Sequence, residues 1–356
     1  MISSVHTDEH DLLVVELGDE DRAALRDAAR VLSEHDPVRD VESFVADVQI
    51  QAARLSEPTR RALHAFRRFG SDSGGLLIRR MPIDDVPATP MTADGPVGIR
   101  LPAAAIMSVL AATLGEQYGF KPDRDGQIVQ DVVPVLGEER IQSSISSDVR
   151  LKDHVEMAFS EFRPDFVMLA CLRPDHDRIA GTTLASGRRT LALLDVSTAE
   201  VLRQQRFKTA VDESFLRSSG YSEQIWIGPI AVVEGGERRP SLRADFAETC
   251  GLDGDEAAAK ALLALRESAV SVAVEVQLKA GDVLVVDNHH AFHGRTPFQA
   301  RGDGLDRWLL RTYLTRDLAR SESQRPGDER VVDTDYRTGP GLLDPMVEVP
   351  SGAAKT

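Results

Sequence analysis

A histidine and a glutamate stand two residues apart in DHVEMAF, residues 153–159, a segment that is otherwise largely apolar. Successive side chains of a β-strand point to opposite faces, so a strand here would place the imidazole of His154 beside the carboxylate of Glu156. This pair supplies two ligands of an open iron(II) site, which needs one further histidine and leaves three coordination positions free. We therefore predict a metal site whose third ligand lies far away in the sequence.

The segment DNHHAFHGRTPF contains three candidates for that third ligand, namely His289, His290 and His293. We choose His293, because it begins the HGRTPF turn and an arginine follows it at a suitable distance. His289 and His290 are the alternatives. A lone HxE pair is also compatible with a hydrogen-bonded core histidine, and the similar HTD at residues 6–8 shows how easily the pattern arises by chance.

Two arginines share one face of a predicted strand in DRWLLRTYL. With period-two alternation, Arg307, Leu309, Arg311 and Tyr313 point the same way. Buried arginines require anionic partners. One interpretation is a pair of structural salt bridges, and the other is two bound carboxylates, each held by a planar guanidinium suited to bidentate pairing.

The elements that must position these groups divide the chain into a helical first third and a β-rich remainder. Apolar residues at three- and four-residue spacing predict helices over residues 19–33, 41–55 and 58–69, and a buried helix over 101–119. Short β-like runs follow, in the order IVQDVVPVL (128–136), DFVMLACL (165–172), IWIGPIAVV (225–233), SVAVEVQL (271–278), DVLVVDN (282–288) and RWLLRTYL (307–314).

Many short strands punctuated by Gly and Pro favour a sandwich or barrel over a parallel α/β sheet. Two helical inserts, near residues 197–206 and 253–268, interrupt the series. We predict a single domain over residues 1–356, with a mostly helical flanking region (1–120), a β core with helical inserts (121–320) and a C-terminal tail (321–356).

Composition narrows the possible partners. The chain has 42 Lys and Arg against 57 Asp and Glu, a net charge of −15, so we expect no nucleic-acid partner. No apolar run approaches the ~18 residues of a membrane span, and the N-terminus lacks the pattern of a signal peptide. We expect a cytoplasmic protein that contacts no membrane and acts on a small molecule.

Several segments together carry a more specific signal. They are DGQIVQDVVPV, SSISSDVRLKDHVEMAFSEFRPDFVMLACLR, TTLAS, VDESF, AGDVLVVDN, HGRTPF and GLDRWLLR. Over about residues 128–320 they resemble the iron(II)- and 2-oxoglutarate-dependent oxygenases of the clavaminate synthase-like group, which includes hydroxylases of free asparagine, arginine and lysine. The resemblance implies a mainly β fold with flanking helices around a double-stranded β-helix, or jelly roll.

The resemblance also implies roles for individual residues. His154, Glu156 and His293 would hold Fe(II). Arg307 matches the arginine that binds the distal carboxylate of the cosubstrate 2-oxoglutarate, and Thr183 matches the threonine that assists it. Thr182 is the alternative, because IAGTTL can carry one residue more than the related sequences.

Substrate contacts follow from the same resemblance. Arg311 would pair with the α-carboxylate of the amino acid, and Glu156 would also accept its α-ammonium. The other expected contacts are Ser144 at the backbone end and Asp212, Ser214 and Asp245 along the side chain. The arginine hydroxylases tend to carry a second acid two positions after the one matched by Asp245, where this chain has Ala247, so a two-carboxylate clamp on a guanidinium is in doubt.

The implied function is hydroxylation of a free L-amino acid with a basic or polar side chain, such as lysine or arginine, at C3 or at the neighbouring C4. O₂ and 2-oxoglutarate are consumed, and succinate and CO₂ are released. Three alternatives stay open: an oxidative cyclase or desaturase of the clavaminate synthase type, a non-oxygenase metal enzyme such as a zinc hydrolase or cupin-like isomerase, and a non-catalytic binding module. The substrate could also be tethered to a carrier protein.

Overall fold

The computed structural model describes residues 1–8, 10–327, 330–338 and 341–342. Within them the α-helices are α1 (Asp19–Leu32), α2 (Val41–Ala52), α3 (Glu57–Phe69), α4 (Pro102–Ala112), α5 (Gly187–Leu191), α6 (Val196–Leu202), α7 (Glu213–Ser218) and α8 (Glu256–Val272).

The strands are β1 (Ser4–Thr7), β2 (Leu13–Glu16), β3 (Gly75–Arg79), β4 (Glu116–Phe120), β5 (Gln130–Val132), β6 (Leu151–His154), β7 (Phe166–Arg173), β8 (Gly181–Ser186), β9 (Phe207–Ala210), β10 (Trp226–Ile230), β11 (Val233–Glu234), β12 (Ser241–Leu242), β13 (Thr249–Gly251), β14 (Val274–Gln277), β15 (Val283–Asp287), β16 (Ala291–Arg295), β17 (Trp308–Thr315) and β18 (Val331–Val332).

Two sheets form the jelly-roll core. The large sheet has the order β1-β2-β3-β15-β7-β17-β4-β18, with β5 also paired to β17. The small sheet has the order β14-β8-β16-β6 and is antiparallel throughout. The predicted fold class, mainly β with flanking helices and a jelly-roll core, is confirmed.

Strand β7 shows why the sequence folds this way. Val167, Leu169 and Cys171 point into the cluster between the sheets, while Phe166 and Met168 point to the other side, against the helices. A strand covered on both faces must be apolar at every position, which is why DFVMLACL reads as a continuous run. The same alternation in β17 places Leu309 inside and Leu310 against the helices.

Three apolar clusters result from this layering. Helices α1 to α4 cover the outer face of the large sheet, and α4 is buried along almost its whole length between that sheet and α1 and α2. The second cluster lies between the two sheets. The third covers the outer face of the small sheet and includes Leu265 and Ala269 of α8 packed near Phe292 of β16.

The structure corrects the predicted helix over 101–119. Helix α4 ends at Ala112, and residues 116–120 form β4, which pairs with β17. The residue between the helix and the strand is Gly115. A larger residue would not fit there, because a Cβ would lie only 2.5 Å from the carbonyl oxygen of Thr315. The apolar pattern does not distinguish a buried helix from a buried strand, and only pairing with β17 decides it.

The flanking region contributes strands that the periodicity does not predict, since β1, β2 and β3 extend the edge of the large sheet. The described part of the C-terminal tail includes β18, which runs parallel to β4. Residues 328–329, 339–340 and 343–356 of the tail lie outside the described residues. The single-domain division stays a prediction. Among the described residues, no helix is long and apolar enough to cross a membrane.

Candidate functional site

Two histidines face each other on neighbouring strands of the small sheet. His154 is the last residue of β6, and it lies directly opposite His293 of β16 in the antiparallel register. Their ring centroids are 4.3 Å apart. The pairing of two strands therefore brings together residues that are far apart in the chain.

Glu156 also lies beside the two histidines, but it is not on the strand face that the sequence predicts. Strand β6 ends at His154, so Glu156 lies in a turn and not on a strand face with it. The next residue, Met157, has φ +55°, a left-handed conformation that is rare for a side chain other than glycine. The chain thus turns sharply where it delivers the carboxylate.

The three side chains form a compact donor set. Oε2 of Glu156 lies 3.5 Å from Nε2 of His154 and 3.4 Å from Nε2 of His293. All the offered ligand atoms lie within 4.8 Å of one another. Two imidazole nitrogens and one carboxylate oxygen on one side of an ion are the donor set of the non-haem iron(II) oxygenases, so these residues fit iron.

Charge in this cluster favours a bound cation. Burial opposes the charged form of His154, but the carboxylates of Glu156 and Asp245 outweigh it and raise the pKa of His154 to about 9. Burial would raise the pKa of Glu156, yet Arg311 and the two histidines hold it well below its usual range. Burial and the neighbouring His154 lower the pKa of His293. The carboxylate is ionised and attracts positive charge to the point between the rings.

Hydrogen bonding fixes the ring of His154. Its Nδ1 lies 2.9 Å from the carbonyl oxygen of Lys152, so Nδ1 carries the proton when the ring is neutral and Nε2 is left as the ligand atom. Nδ1 of His293 is buried and has no hydrogen-bond partner among the described residues. One of the two imidazoles is therefore oriented by the backbone, and the other by its packing.

The triad lines a cavity of about 660 Å³ between the sheets. The cavity also contains most of the other predicted site residues, namely Ser144, Thr182, Asp212, Ser214, Asp245, Arg307 and Arg311. Thr183 does not line it, because it points to the opposite face of β8 and its Oγ1 donates to Oδ1 of Asp153 at 2.6 Å. The site assignments stay predictions, and the placement favours Thr182 over Thr183.

One end of the cavity holds two buried cations. Arg307 is 6% exposed, and no described carboxylate lies within 4.0 Å of its guanidinium. Arg295, also a cavity residue, is 4% exposed and donates to the carbonyl oxygens of Ser146 and Val149. Burial and the charge of Arg307 lower the pKa of Arg295 to about 9. Two like charges without a carboxylate partner favour binding of an anion.

Acidic and polar groups surround the guanidinium of Arg311 in the cavity. Its guanidinium donates to Oε1 of Glu156 at 3.1 Å, to Oδ2 of Asp123 at 3.1 Å and to Oε1 of Gln130 at 2.6 and 3.0 Å. The hydroxyl of Tyr313 donates to Oε1 of Glu156 at 2.7 Å. Glu156 therefore faces the histidines with one oxygen and Arg311 with the other.

Another part of the cavity wall is acidic. Asp212 and Asp245 line it together with Glu248. The side chain of Asp212 is open to the cavity, but the enclosing protein and the charge of Asp245 raise its pKa to about 7. Burial also raises the pKa of Asp245 and of Glu248. Like-charged neighbours in an enclosed space raise one another's pKa, so a cation bound there would relieve their repulsion.

The alternative histidines lie away from the cavity. Nε2 of His289 lies 3.2 Å from Oδ1 of Asp165, and Nδ1 of His290 lies 2.8 Å from the carbonyl oxygen of Pro240. A second group of possible ligands, His176, Asp303 and Asp306, is located elsewhere. Both carboxylate oxygens of Asp306 already accept backbone N–H groups, which indicates a loop-stabilising role.

Sequence reasoning missed five residues that the structure brings to the site. They are Asp123, Glu248, Arg295 and Tyr313, which line the cavity, and Gln130, which does not line it but accepts a hydrogen bond from Arg311. Signals existed for three: Gln130 lies in DGQIVQDVVPV, Arg295 in HGRTPF, and Tyr313 on the strand face of Arg311. Asp123 and Glu248 are single acids in loops, and sequence alone does not separate them from solvated surface residues.

Comparisons with known proteins agree with this geometry. The sequence profile of the family described as taurine catabolism dioxygenase TauD, TfdA family matches residues 101–313. The L-asparagine oxygenase of Streptomyces coelicolor is 41% identical over 275 residues, covering 77% of this chain and 80% of that protein. The L-lysine 3-hydroxylase of Catenulispora acidiphila is 31% identical over 299 residues, covering 82% and 81%.

A solved structure is similar over nearly the whole chain. The asparagine oxygenase crystallised with Fe(II), 2S,3S-3-hydroxyasparagine and succinate superposes with a TM-score of 0.83 at 35% identity. The match covers 90% of this chain and 99% of that one. The fold is thus that of an enzyme crystallised with iron and with the coproduct of 2-oxoglutarate turnover.

We predict that His154→Ala or His293→Ala abolishes Fe(II) binding, because two remaining ligands are too few to hold a labile ion. Anaerobic titration calorimetry of the purified variants measures this. His289→Ala and His290→Ala should bind Fe(II) within about twofold of the parent, since neither ring lines the cavity. Normal binding by the His293 variant, or loss only in the His290 variant, would show that the ligand assignment is wrong.

Proposed function

The chain belongs to the TauD, TfdA family and is an iron(II)- and 2-oxoglutarate-dependent amino acid hydroxylase, and from this we propose that it hydroxylates a free, cationic L-amino acid at C3. The observation that carries the proposal is the set of charged groups that line the cavity together with the three possible metal ligands. They are two guanidiniums without a carboxylate partner, a mixed cluster around Arg311 and a group of acids. Each zone complements one part of the two organic reactants.

His154, Glu156 and His293 would hold Fe(II) on one face. When bound, the iron supplies the oxidising chemistry, in which O₂ and 2-oxoglutarate yield succinate, CO₂ and a hydroxyl group on an unactivated carbon. The protein's own contribution is to place the reactants and to exclude water from them.

Arg307 would bind the distal carboxylate of 2-oxoglutarate. Its burial without a carboxylate partner supports this, since a bound anion would compensate a charge that the fold leaves unpaired. The neighbouring charge of Arg295 would strengthen the same attraction. Thr182, which lines the cavity, would take the assisting position in place of Thr183.

The centre of the cavity suits the zwitterionic end of an amino acid. Arg311 would bind the α-carboxylate, while the acids Glu156 and Asp123, both within hydrogen-bond distance of it, would accept the α-ammonium. Ser144 would add a polar contact at this end. A carrier-bound amino acid has an uncharged thioester in place of its carboxylate, so Arg311 favours a free substrate.

The position of the reacting carbon follows from Glu156. Its Oε2 faces the histidines and its Oε1 faces Arg311, so the carbons next to the α-ammonium would lie nearest the metal. Among these carbons, the β-carbon is the first one of the side chain, and it carries hydrogens that can be removed. We therefore propose hydroxylation at C3, with C4 as the neighbouring alternative. The names of the lysine 3-hydroxylase and the 3-hydroxyasparagine complex support the same position.

The acidic end would read the substrate side chain. Asp212 and Asp245, with Ser214 beside them on the wall, face a part of the cavity to which Glu248 adds a third carboxylate. Glu248 follows Ala247 directly, so the acid missing at that position is replaced one residue later. A cationic side chain would offset this charge, while an apolar one would leave these acids without a partner of opposite charge.

A second candidate substrate is asparagine. The 41% identity to the asparagine oxygenase of Streptomyces coelicolor supports it, and an amide could donate hydrogen bonds to Asp245. We rank lysine-like and arginine-like substrates first because an amide does not neutralise two or three carboxylates.

We predict that lysine, arginine or ornithine is turned over about tenfold to hundredfold better than leucine, with asparagine between them, as the unpaired acids imply. The measurement is oxygen-dependent succinate release together with the +16 mass product and its hydroxyl position. Asp245→Asn should lower kcat/KM for the cationic substrate more than for asparagine. A preference for leucine, or an unchanged Asp245→Asn variant, would contradict the assignment, and a product two mass units lighter would indicate a desaturase or cyclase.

We predict different defects in the two arginine variants. Arg307→Lys should raise the KM for 2-oxoglutarate by roughly 10- to 100-fold, because an ammonium cannot reproduce the forked pairing of a guanidinium. Arg311→Lys should raise the KM for the amino acid by a similar factor. Steady-state kinetics with each reactant varied in turn separates the two effects. Identical defects toward both reactants in the two variants would refute the assignment of one carboxylate to each arginine.

We predict that preference for a cationic substrate weakens at low pH. The pKa of Asp212, raised to about 7 from an ordinary 3.8, means that its charge is present above pH 7 and is lost as the pH falls to 6. Asp245, Glu156, Asp123 and Glu248 face Asp212 and keep its pKa high.

The measured quantity is the ratio of kcat/KM for lysine to kcat/KM for asparagine between pH 6 and 8, in which groups common to both substrates cancel. The ratio should fall up to about tenfold for each pH unit below 7 in the parent. In Asp212→Asn it should be lower and nearly independent of pH. An equally steep profile in that variant would assign the titration to another group.

A further inference from the structure

Asn288 is a fully buried amide at the turn between β15 and β16. Its Oδ1 accepts the backbone N–H of Glu156 at 2.8 Å, and its Nδ2 donates to the backbone carbonyl of Glu156 at 3.1 Å. The second Nδ2 hydrogen goes to the carbonyl oxygen of Pro164 at 2.9 Å. The side chain thus pairs with both polar groups of Glu156's main chain, as a neighbouring strand would.

Glu156 needs such a partner because it lies outside the sheet. Strand β6 ends two residues earlier, and the ladder with β16 therefore does not reach the Glu156 backbone. Met157, with φ +55°, turns the chain away immediately afterwards. A buried N–H and carbonyl at this point would each be left without a bond if the amide were removed.

The same amide is connected to the opposite metal ligand. Asn288 is separated from His293 by only four residues, and its own N–H donates to the carbonyl of Asp165 at 3.0 Å. The turn that begins β16 is therefore tied to the turn that carries Glu156. Hydrogen bonds from this one side chain therefore hold the Glu156 main chain against the turn that precedes β16, the strand of His293.

We propose that Asn288 is a positioning residue that fixes the Glu156 carboxylate opposite His293 and thereby sets the affinity of the site for Fe(II). This inference rests on the metal-binding triad of the proposed function. The residue contacts neither reactant and acts only through the Glu156 main chain.

The chemistry of the contact requires an amide. Two donors and one acceptor are used at once, and among side chains of this size only asparagine has both. Aspartate has the same shape but no donor, so it would place a negative charge against the carbonyl oxygens of Glu156 and Pro164. Serine would keep a neutral side chain but could satisfy no more than part of the network.

The test compares metal binding in Asn288→Asp, Asn288→Ser and the parent by anaerobic titration with Fe(II). Co(II) serves as a second probe, because its absorption spectrum reports whether the carboxylate remains a ligand. The control is Gln117→Glu, the same amide-to-carboxylate change in a buried side chain that donates to Thr312 in the large sheet and does not line the cavity. The spectrum of Co(II) without protein gives the reference for an ion that the site does not hold.

We expect Asn288→Asp to weaken Fe(II) binding by about 10- to 100-fold, the range found for residues that orient metal ligands. Its Co(II) spectrum should shift toward that of Co(II) without protein. Asn288→Ser should lose about tenfold, and Gln117→Glu should stay within about twofold. If Asn288→Asp does not fold, the Asn288→Ser result decides.

Parental affinity with a parental Co(II) spectrum in the folded Asn288 variants would overturn this inference alone. An equal loss in Gln117→Glu would overturn it as well, since the effect would then be general destabilisation. A parent that binds neither metal would instead refute the metal-binding triad itself, and with it the proposed function.

Discussion

The ionised carboxylate of Glu156 is the interaction on which the site depends. One oxygen lies between two imidazoles and the other accepts from Arg311 and Tyr313, so a single group would join the proposed metal-binding position to the proposed substrate position. Burial of that charge would be unfavourable without the cations on both sides. The two sheets must therefore pack closely enough to bring β6, β16 and β17 to one point.

The rest of the cavity extends the same principle of compensated charge. Its two unpaired guanidiniums and its cluster of acids are each incomplete within the protein, and each becomes balanced by a reactant of opposite charge. Because the arginine pair and the acids form separate groups on the cavity wall, a dianionic cosubstrate and a cationic side chain would not compete for one place. Electrostatics thus orients both reactants before any chemistry begins.

Much of this could be predicted from the sequence, for identifiable reasons. The grouping of His154, Glu156 and His293 is implied by the resemblance of the surrounding motifs, and the face that Arg307 and Arg311 share follows from alternation along the chain, which is a local property. The turn at Glu156 could not be foreseen, because β6 stops where its pairing with β16 stops. The choice between Thr182 and Thr183 likewise depended on the register of β8, since a shift of one residue reverses the face of a strand. The positions of Asp123 and Glu248 in the cavity could not be predicted, because only the folded loops bring these acids to its wall.

The wall proposed to contact the substrate side chain differs in structure from the centre of the cavity. Asp212 and Ser214 belong to the start of the short helix α7, outside the two sheets, whereas Asp245 lies in a loop that forms a β-bridge with His154. Short loop segments tolerate substitution better than the strands of a packed sheet. On the proposed assignment, Asp212 and Ser214 would contact the amino acid side chain from a segment separate from the strands of His154 and His293, so substitutions there could change the substrate in evolution and leave the oxidative chemistry in place.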